Sequence, residues 1–250
     1  MIKILEIDIE TIANLVDAWG LFNQNIGINQ IHSPSEMVCF ASKWYRKDDI
    51  TFLGQTDLIS KRKMLHTLWK QLDEADAVIH YNGKKFDIPT INKEFILEGF
   101  NPPSPYKQID LYMEVKKNFR LPSYKLDFVC QYFGLGSKVQ HEGHELWMKI
   151  RANDKDAWRR FQEYNEQDVL LLEKLYDKIK AWIKNHPNMG LYVDSDKPVC
   201  RICGSTNLVK KGTEITNLSS YQRFKCKDCS ANLRGRLNLA NRNNLTVGVN

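Results

Sequence analysis

The chain predicts an α/β fold, a mixed β-sheet flanked by helices, followed by a small metal-stapled C-terminal module. Three observations carry that expectation. The opening alternates Leu5, Ile7 and Ile9 with Glu6, Asp8 and Glu10, the period of a strand. Strand-like and helical periods then alternate as far as residue 184. Beyond Pro187 large apolar residues thin out, Gly, Ser and Asn rise, and four of the six cysteines form two Cys-x-x-Cys pairs.

After the first strand, residues 11–34 show no clear period and predict a long connection. Residues 37–45 and 50–54 read as strands joined by the polar Arg46-Lys47-Asp48-Asp49, a hairpin. Residues 58–74 carry Leu58, Leu65, Leu68, Trp69 and Leu72 at helical spacing. The short strand Ala77-Val78-Ile79-His80-Tyr81 ends at Asn82-Gly83. A helix starts near Asp87, with Pro89 in its first turn, and stops at Gly99 before Asn101-Pro102-Pro103. Residues 106–111 predict a strand and 126–133 a helix halted by Gly134. Residues 134–155 stay ambiguous, and 156–184 form a long helical stretch ending before His186-Pro187. The expected domains are 1–186 and 197–236, with an Asn-rich frayed tail over 237–250.

Composition narrows the function classes. With 250 residues, 42% hydrophobic and 26% charged, the chain is neither disordered nor fibrous. No apolar run approaches the roughly 18 residues of a membrane helix, and the N-terminus turns acidic too early for a signal peptide. A cytoplasmic protein with no membrane role is the expectation. The net charge of +6 is unevenly placed: residues 186–250 hold 10 basic and 4 acidic side chains, so residues 1–185 are neutral. That asymmetry points to a polyanion-binding appendage on a body of different chemistry.

Several carboxylates stand out. Asp8 and Glu10 share one face of a strand, an arrangement that suits a hard divalent cation, although a solvated strand end reads the same way. Asp87 follows Asn82-Gly83-Lys84-Lys85-Phe86 and is equally a helix N-cap by sequence. Tyr164 and Asp168 lie one helical turn apart, as a surface Asp beside a half-buried Tyr also would.

In their order these fragments resemble the three motifs of the DEDD 3′–5′ exonuclease superfamily, in its tyrosine branch. The likeness is to family-B DNA polymerase proofreading domains and to stand-alone phage or bacterial exonuclease-like proteins. It extends through Gln108-Ile109-Asp110-Leu111, Lys125-Leu126-Asp127-Phe128-Val129 and Phe133-Gly134-Leu135-Gly136-Ser137-Lys138, spanning residues 4–180. The resemblance implies a ribonuclease-H-like fold and two Mg²⁺ or Mn²⁺ ions. Asp8, Glu10 and Asp168 would hold one ion, and Asp8 would bridge to a second that Asp87 helps hold. Tyr164 would orient the attacking water, since a tyrosine near pKa 10 is a poor base at pH 7. Asn82 and Phe86 match positions near the terminal nucleotide, though Phe86 reads equally as core. Asp127 is expected to be a structural hydrogen-bonding residue. His141 and His144 lack a second pair at ligand spacing and are set aside as metal ligands.

Cys200, Cys203, Cys226 and Cys229, with 22 residues between the pairs, fit one structural Zn²⁺ in a zinc ribbon with a long hairpin. The segment resembles zinc ribbons of transposases and other DNA-handling proteins. Arg223, Lys225 and Lys227 alternate along it, a face that could track a nucleic-acid backbone. The expected function is a metal-dependent 3′–5′ exonuclease on DNA, ahead of RNA, with the ribbon assisting binding. A chain this short is not expected to proofread in cis. A structure-specific endonuclease or RNA-processing nuclease, and a non-catalytic zinc-ribbon DNA-binding protein, are the alternatives.

Overall fold

The computed structural model describes residues 2–56, 59–240 and 246. Leu58, expected in the first helix, lies outside the described residues, as do 241–245 and 247–250 of the expected tail. The chain divides into two compact units, Lys3–Leu175 and a second running from Tyr176 onward. Among the described residues no helix is long and apolar enough to cross a membrane.

In the first unit, β1 (Ile4–Ile12) leads into a short ribbon, β2 (Leu15–Val16) and β3 (Ile31–Ser33), and then β4 (Glu36–Trp44) and β5 (Ile50–Gly54). The sequence reads residues 11–34 as a plain connection; strands of two and three residues leave no period to detect. Next come α1 (Lys61–Glu74), β6 (Ala77–His80), α2 (Asp87–Leu97), β7 (Lys107–Asp110), α3 (Leu111–Asn118), α4 (Leu126–Tyr132), α5 (His144–Arg151) and α6 (Lys155–Ile179). The main sheet runs β5-β4-β1-β6-β7. β1 is antiparallel to β4 and parallel to β6, and β6 is parallel to β7. This is the mixed sheet flanked by helices that the sequence predicts.

Helices cover both faces. Leu5, Ile7 and Ile9 pack with Met64, Leu65 and Leu68 of α1 and Ile88 and Ile91 of α2. Opposite them, Ile12, Val38 and Cys39 pack with Leu146 and Ile150 of α5 and Phe161 of α6. The second layer explains why Glu6, on the acidic face of β1, does not meet solvent: it is buried beside its cross-strand neighbour Lys43, which pairs with Glu173 of α6, while Asp8 and Glu10 further along stay partly exposed. A central strand is covered on both sides even when its sequence alternates like a half-exposed one.

Two features open the sheet at the acidic end of β1. Pairing with β6 covers only Ile4 to Glu6, so Asp8 and Glu10 lie beyond the point where that strand turns away. A register shift at Glu10/Thr11 against β4 adds a bulge beside Glu10.

The second unit holds β8 (Leu208–Ile215), β9 (Ser220–Cys226) and β10 (Asn232–Asn238) in the order β10-β9-β8. The apolar cluster around its cysteines is small: Cys200, Ile202, Cys226 and Ala231, flanked by Leu208 and Leu233. Leu237 and Asn238, expected in the tail, are the end of β10, where Asn238 pairs with Tyr221.

Candidate active site

β1 presents Asp8 and Glu10, and the middle of α6 presents Tyr164, Asn165 and Asp168. One carboxylate oxygen from each of Asp8, Glu10 and Asp168 lies within 4.8 Å of the others. Asp87 stands outside this trio. It is the first residue of α2 and not its cap, which is Phe86 without a side-chain hydrogen bond. Its carboxylate is instead hydrogen-bonded to the backbone of Ile9, between the two acidic residues of β1.

Packing carboxylates together in a dry place disfavours their charge. Burial, then the charges of Asp168, Glu10 and Asp87, hold the Asp8 carboxyl well above its ordinary value, with Lys138 pulling the other way. Burial and Asp168 push Glu10 up to about 8. Burial raises Asp87 to about 6 against its backbone hydrogen bonds. Asp168 is raised by burial, opposed by Lys138. Its Oδ1 is buried without a hydrogen-bond partner. A carboxylate oxygen left without a donor, among further carboxylate oxygens, is the donor set a hard cation takes, so these residues fit a divalent metal.

The structure adds two residues that motif reading did not assign. Lys138 Nζ donates to Asp168 Oδ2 at 2.5 Å and to Tyr164 Oη at 3.1 Å. Burial opposes its charge, yet Asp168, Tyr164 and Asp8 hold the ammonium above its ordinary value. Asp127 fixes the approach by accepting the backbone N–H of Lys138 at 2.7 Å and the Gln131 amide at 2.7 Å. Asn165, fully buried, donates from Nδ2 to Asp8 Oδ2 at 2.6 Å. Burial, then Glu10 and Asp168, keep the Tyr164 phenol above its ordinary pKa and therefore neutral. His141, Trp147 and Phe161 pack around its ring.

The turn before Asp87 is held from behind. Asp110 accepts from the backbone N–H groups of Asn82 (2.9 Å), Lys84 (3.3 Å) and Met113 (3.4 Å), so one carboxylate braces the turn and caps α3. Asn82 adopts a positive φ of 64°. Gly83 lies flat on the His80 ring, where an added Cβ would come within 2.5 Å. Asn82 is half-buried, and Phe86 is 47% exposed, which removes the reading of Phe86 as core.

In the second unit the four cysteine sulfurs converge. Cys200 to Cys229 and Cys203 to Cys226 are each 3.6 Å apart, and all four lie within 4.8 Å of one another. Four thiolates about 2.3 Å from one zinc sit roughly 3.8 Å apart, so the cluster is compatible with a zinc ribbon. Arg223 and Lys225 are two apart on β9 and share a face, and Arg234 of β10 pairs directly with Arg223. Lys227 lies past the strand end, its N–H bound to Asn207. Arg234 also meets Glu214 at 3.0 Å and stacks over Tyr221.

Comparison with known proteins places this architecture. Arginine–tRNA ligases of Streptococcus agalactiae and Streptococcus pyogenes are 29% and 26% identical to it over 85 residues. That segment is 33% of this chain, and it spans only 15% of each ligase. The family B DNA polymerase of the hyperthermophilic archaeon Pyrobaculum calidifontis superposes with a TM-score of 0.56 at 19% identity, over 73% of this chain and 25% of the polymerase. That likeness is one of fold. The RNase_H superfamily model matches residues 31–180, which include Asp87, Lys138, Tyr164 and Asp168 and leave Asp8 and Glu10 just ahead of the match. With that match over more than half its length, the chain belongs to the RNase_H superfamily.

Proposed function

We propose that the protein is a metal-dependent 3′–5′ exonuclease of the DEDD tyrosine branch, acting on DNA ends. Residues 1–186 would form the nuclease domain and residues 197–236 a zinc ribbon that helps hold nucleic acid. The observation that carries the reading is the meeting of Asp8, Glu10 and Asp168 with Tyr164 and the unpartnered Asp168 Oδ1. Superfamily membership and the polymerase-like fold support a nuclease. Asp8, Glu10 and Asp168 would hold Mg²⁺ or Mn²⁺, with Asp87 contributing toward a second ion. Two such ions supply a water-derived nucleophile near neutral pH and stabilise charge on the attacking and leaving oxygens.

The chain's own groups supply the rest. Asn165 pins Asp8 by one oxygen. Tyr164 stays a neutral phenol and positions by hydrogen bonding; it takes no proton. Lys138 offsets the carboxylate charge and holds Tyr164 against Asp168. Asn82 and the exposed Phe86 would meet the terminal nucleotide, and Arg223, Lys225 and Lys227 the backbone further along. Cys200, Cys203, Cys226 and Cys229 would bind Zn²⁺.

The test is release of nucleotides from a 3′-hydroxyl strand with Mg²⁺ or Mn²⁺. Asp8→Ala and Asp168→Ala should each abolish release, and release surviving both sinks the assignment. Cleavage of a circular single strand would identify an endonuclease instead, and a matched RNA panel decides the sugar.

A further inference from the structure

The stretch between Ile12 and Glu36 stands away from both core layers. It leaves the carboxylate end of β1 as the ribbon β2–β3, closed by the Asp17 N–H on the Gln30 carbonyl (3.0 Å) and by the Gln30 amide on the Asp17 carbonyl (2.9 Å). Its tip displays Trp19, Leu21, Phe22 and Ile28 at 91%, 92%, 84% and 89% exposure. Isolated apolar residues on a surface are ordinary, but four large ones within ten residues mark a contact surface.

The chemistry of the tip selects what it contacts. No lysine or arginine occurs from residue 4 to residue 42, and no acidic residue from 18 to 35. The tip therefore cannot neutralise phosphates, and it does not repel them. Its polar groups are carboxamides, Asn23, Gln24, Asn25 and Asn29, all exposed. Aromatic faces and carboxamides together match nucleobases, which stack through neutral π faces and both donate and accept at their edges.

Placement agrees. β1, β6 and β7 are parallel, so the segments that leave their C-terminal ends all emerge from the same edge of the sheet. After β1 comes the ribbon with its uncharged tip, after β6 the exposed Lys84 and Lys85, and after β7 helix α3 with Lys116 and Lys117. Asp8 and Glu10 lie on β1, which leads into the ribbon and pairs with β6, the strand that leads to Lys84 and Lys85. A strand crossing this edge has a charged side and an uncharged side, and so does the edge. The root of the ribbon is also tied to the site. Trp147 Nε1 donates to the Thr11 carbonyl at 3.1 Å while its ring packs against Tyr164, and Arg151 donates to the Ala13 carbonyl at 2.9 Å.

We propose that the tip of the β2–β3 ribbon is a base-stacking wall for unpaired nucleotides of the strand held at the carboxylate site. The inference rests on the nuclease reading and adds where the bases go. The probe is a labelled single-stranded DNA oligonucleotide, titrated by fluorescence anisotropy into full-length protein carrying Asp8→Asn to stop cleavage. Adding Trp19→Ala and Phe22→Ala should weaken binding about ten- to a hundredfold with an unchanged melting temperature. Adding Trp19→Tyr and Phe22→Tyr instead should keep the Asp8→Asn affinity. An abasic strand of equal length should bind the alanine and parent proteins alike. Unchanged affinity in the alanine protein, as expected if the tip meets a protein, overturns the proposal, and so does equal binding of abasic and base-bearing strands to the parent. Either result would arise alongside normal hydrolysis by the wild type. A wild type that neither cleaves nor binds any strand overturns the nuclease reading and this inference together.

Discussion

At the scale of single residues, the site is a charge problem solved in two ways. Glu10 at about 8 and Asp87 at about 6 both lie above their ordinary values because of burial and, for Glu10, the neighbouring Asp168. A group whose folded pKa is raised stabilises the fold below its unfolded pKa, and that contribution is lost as pH rises through the folded value. Without metal, stability should therefore fall between about pH 4 and pH 8. A divalent ion held here would bind the ionised carboxylates, so the metal-induced rise in melting temperature should grow over the same window. At about a hundred times the dissociation constant the gain is about 2.7 kcal/mol, roughly 5–10 °C for a unit of this size. Thermal melting with and without Mn²⁺ at pH 5.5 and pH 8 measures it; equal shifts at both pH values, or a full shift in Glu10→Gln, would contradict the account. Lys138 is the second solution, an internal cation on Asp168. It sits in a motif of the resembling family, yet its role was not legible, because Asp127 carries it into the site through a backbone hydrogen bond across eleven residues. Asn165 was hidden for a different reason: beside Tyr164 in sequence, it reads as an ordinary polar helix residue. Asp8 with Glu10, and Tyr164 with Asp168, were legible because each pair is set by one element's own period.

At the scale of elements, the site depends on where strands stop. β6 ends at His80, and the next turn must swing Asp87 back toward Ile9. Asp110 holds that turn by two backbone N–H groups while capping α3 with a third contact. Asp110→Ala would leave these part-buried donors without their carboxylate and uncap the helix, at a cost of about 1–3 kcal/mol. Denaturant titration should show that loss, and metal affinity should fall with it, since the turn positions Asp87. An unchanged midpoint would mean water or a neighbour replaces the carboxylate. Helix α3 itself escaped the sequence reading because only Leu111 and Val115 of its eight residues are buried, too few to set a period. The buried Glu6 misleads in the opposite sense: β1 alternates like an exposed-face strand, while its partners in space, Lys43 and α6, lie far along the chain.

At the scale of the whole molecule, the two units are stabilised by different means. Lys3–Leu175 has two apolar layers against a five-stranded sheet. Among the described residues, the other unit surrounds its cysteines with Ile202, Ala231 and a few half-buried side chains. So small a cluster is expected to need a metal to hold its three-stranded sheet, and four sulfurs without a cation would leave the sheet's closing end unsupported. A strong zinc chelator should therefore unfold β8, β9 and β10 and leave the first unit folded. Hydrogen exchange should show protection lost along residues 208–238 and kept along β1 and β4, with about one zinc released per chain as expected of a four-cysteine site. Because the net positive charge of the chain lies in residues 186–250, the same treatment should weaken DNA binding and flatten its dependence on salt. On the proposed function, cleavage of a short strand would need only the carboxylate site and should persist under a chelator too weak to remove Mg²⁺. Purified protein that contains no zinc while β8–β10 remain protected would refute the metal staple. Loss of protection in both units at once would show that they unfold as one.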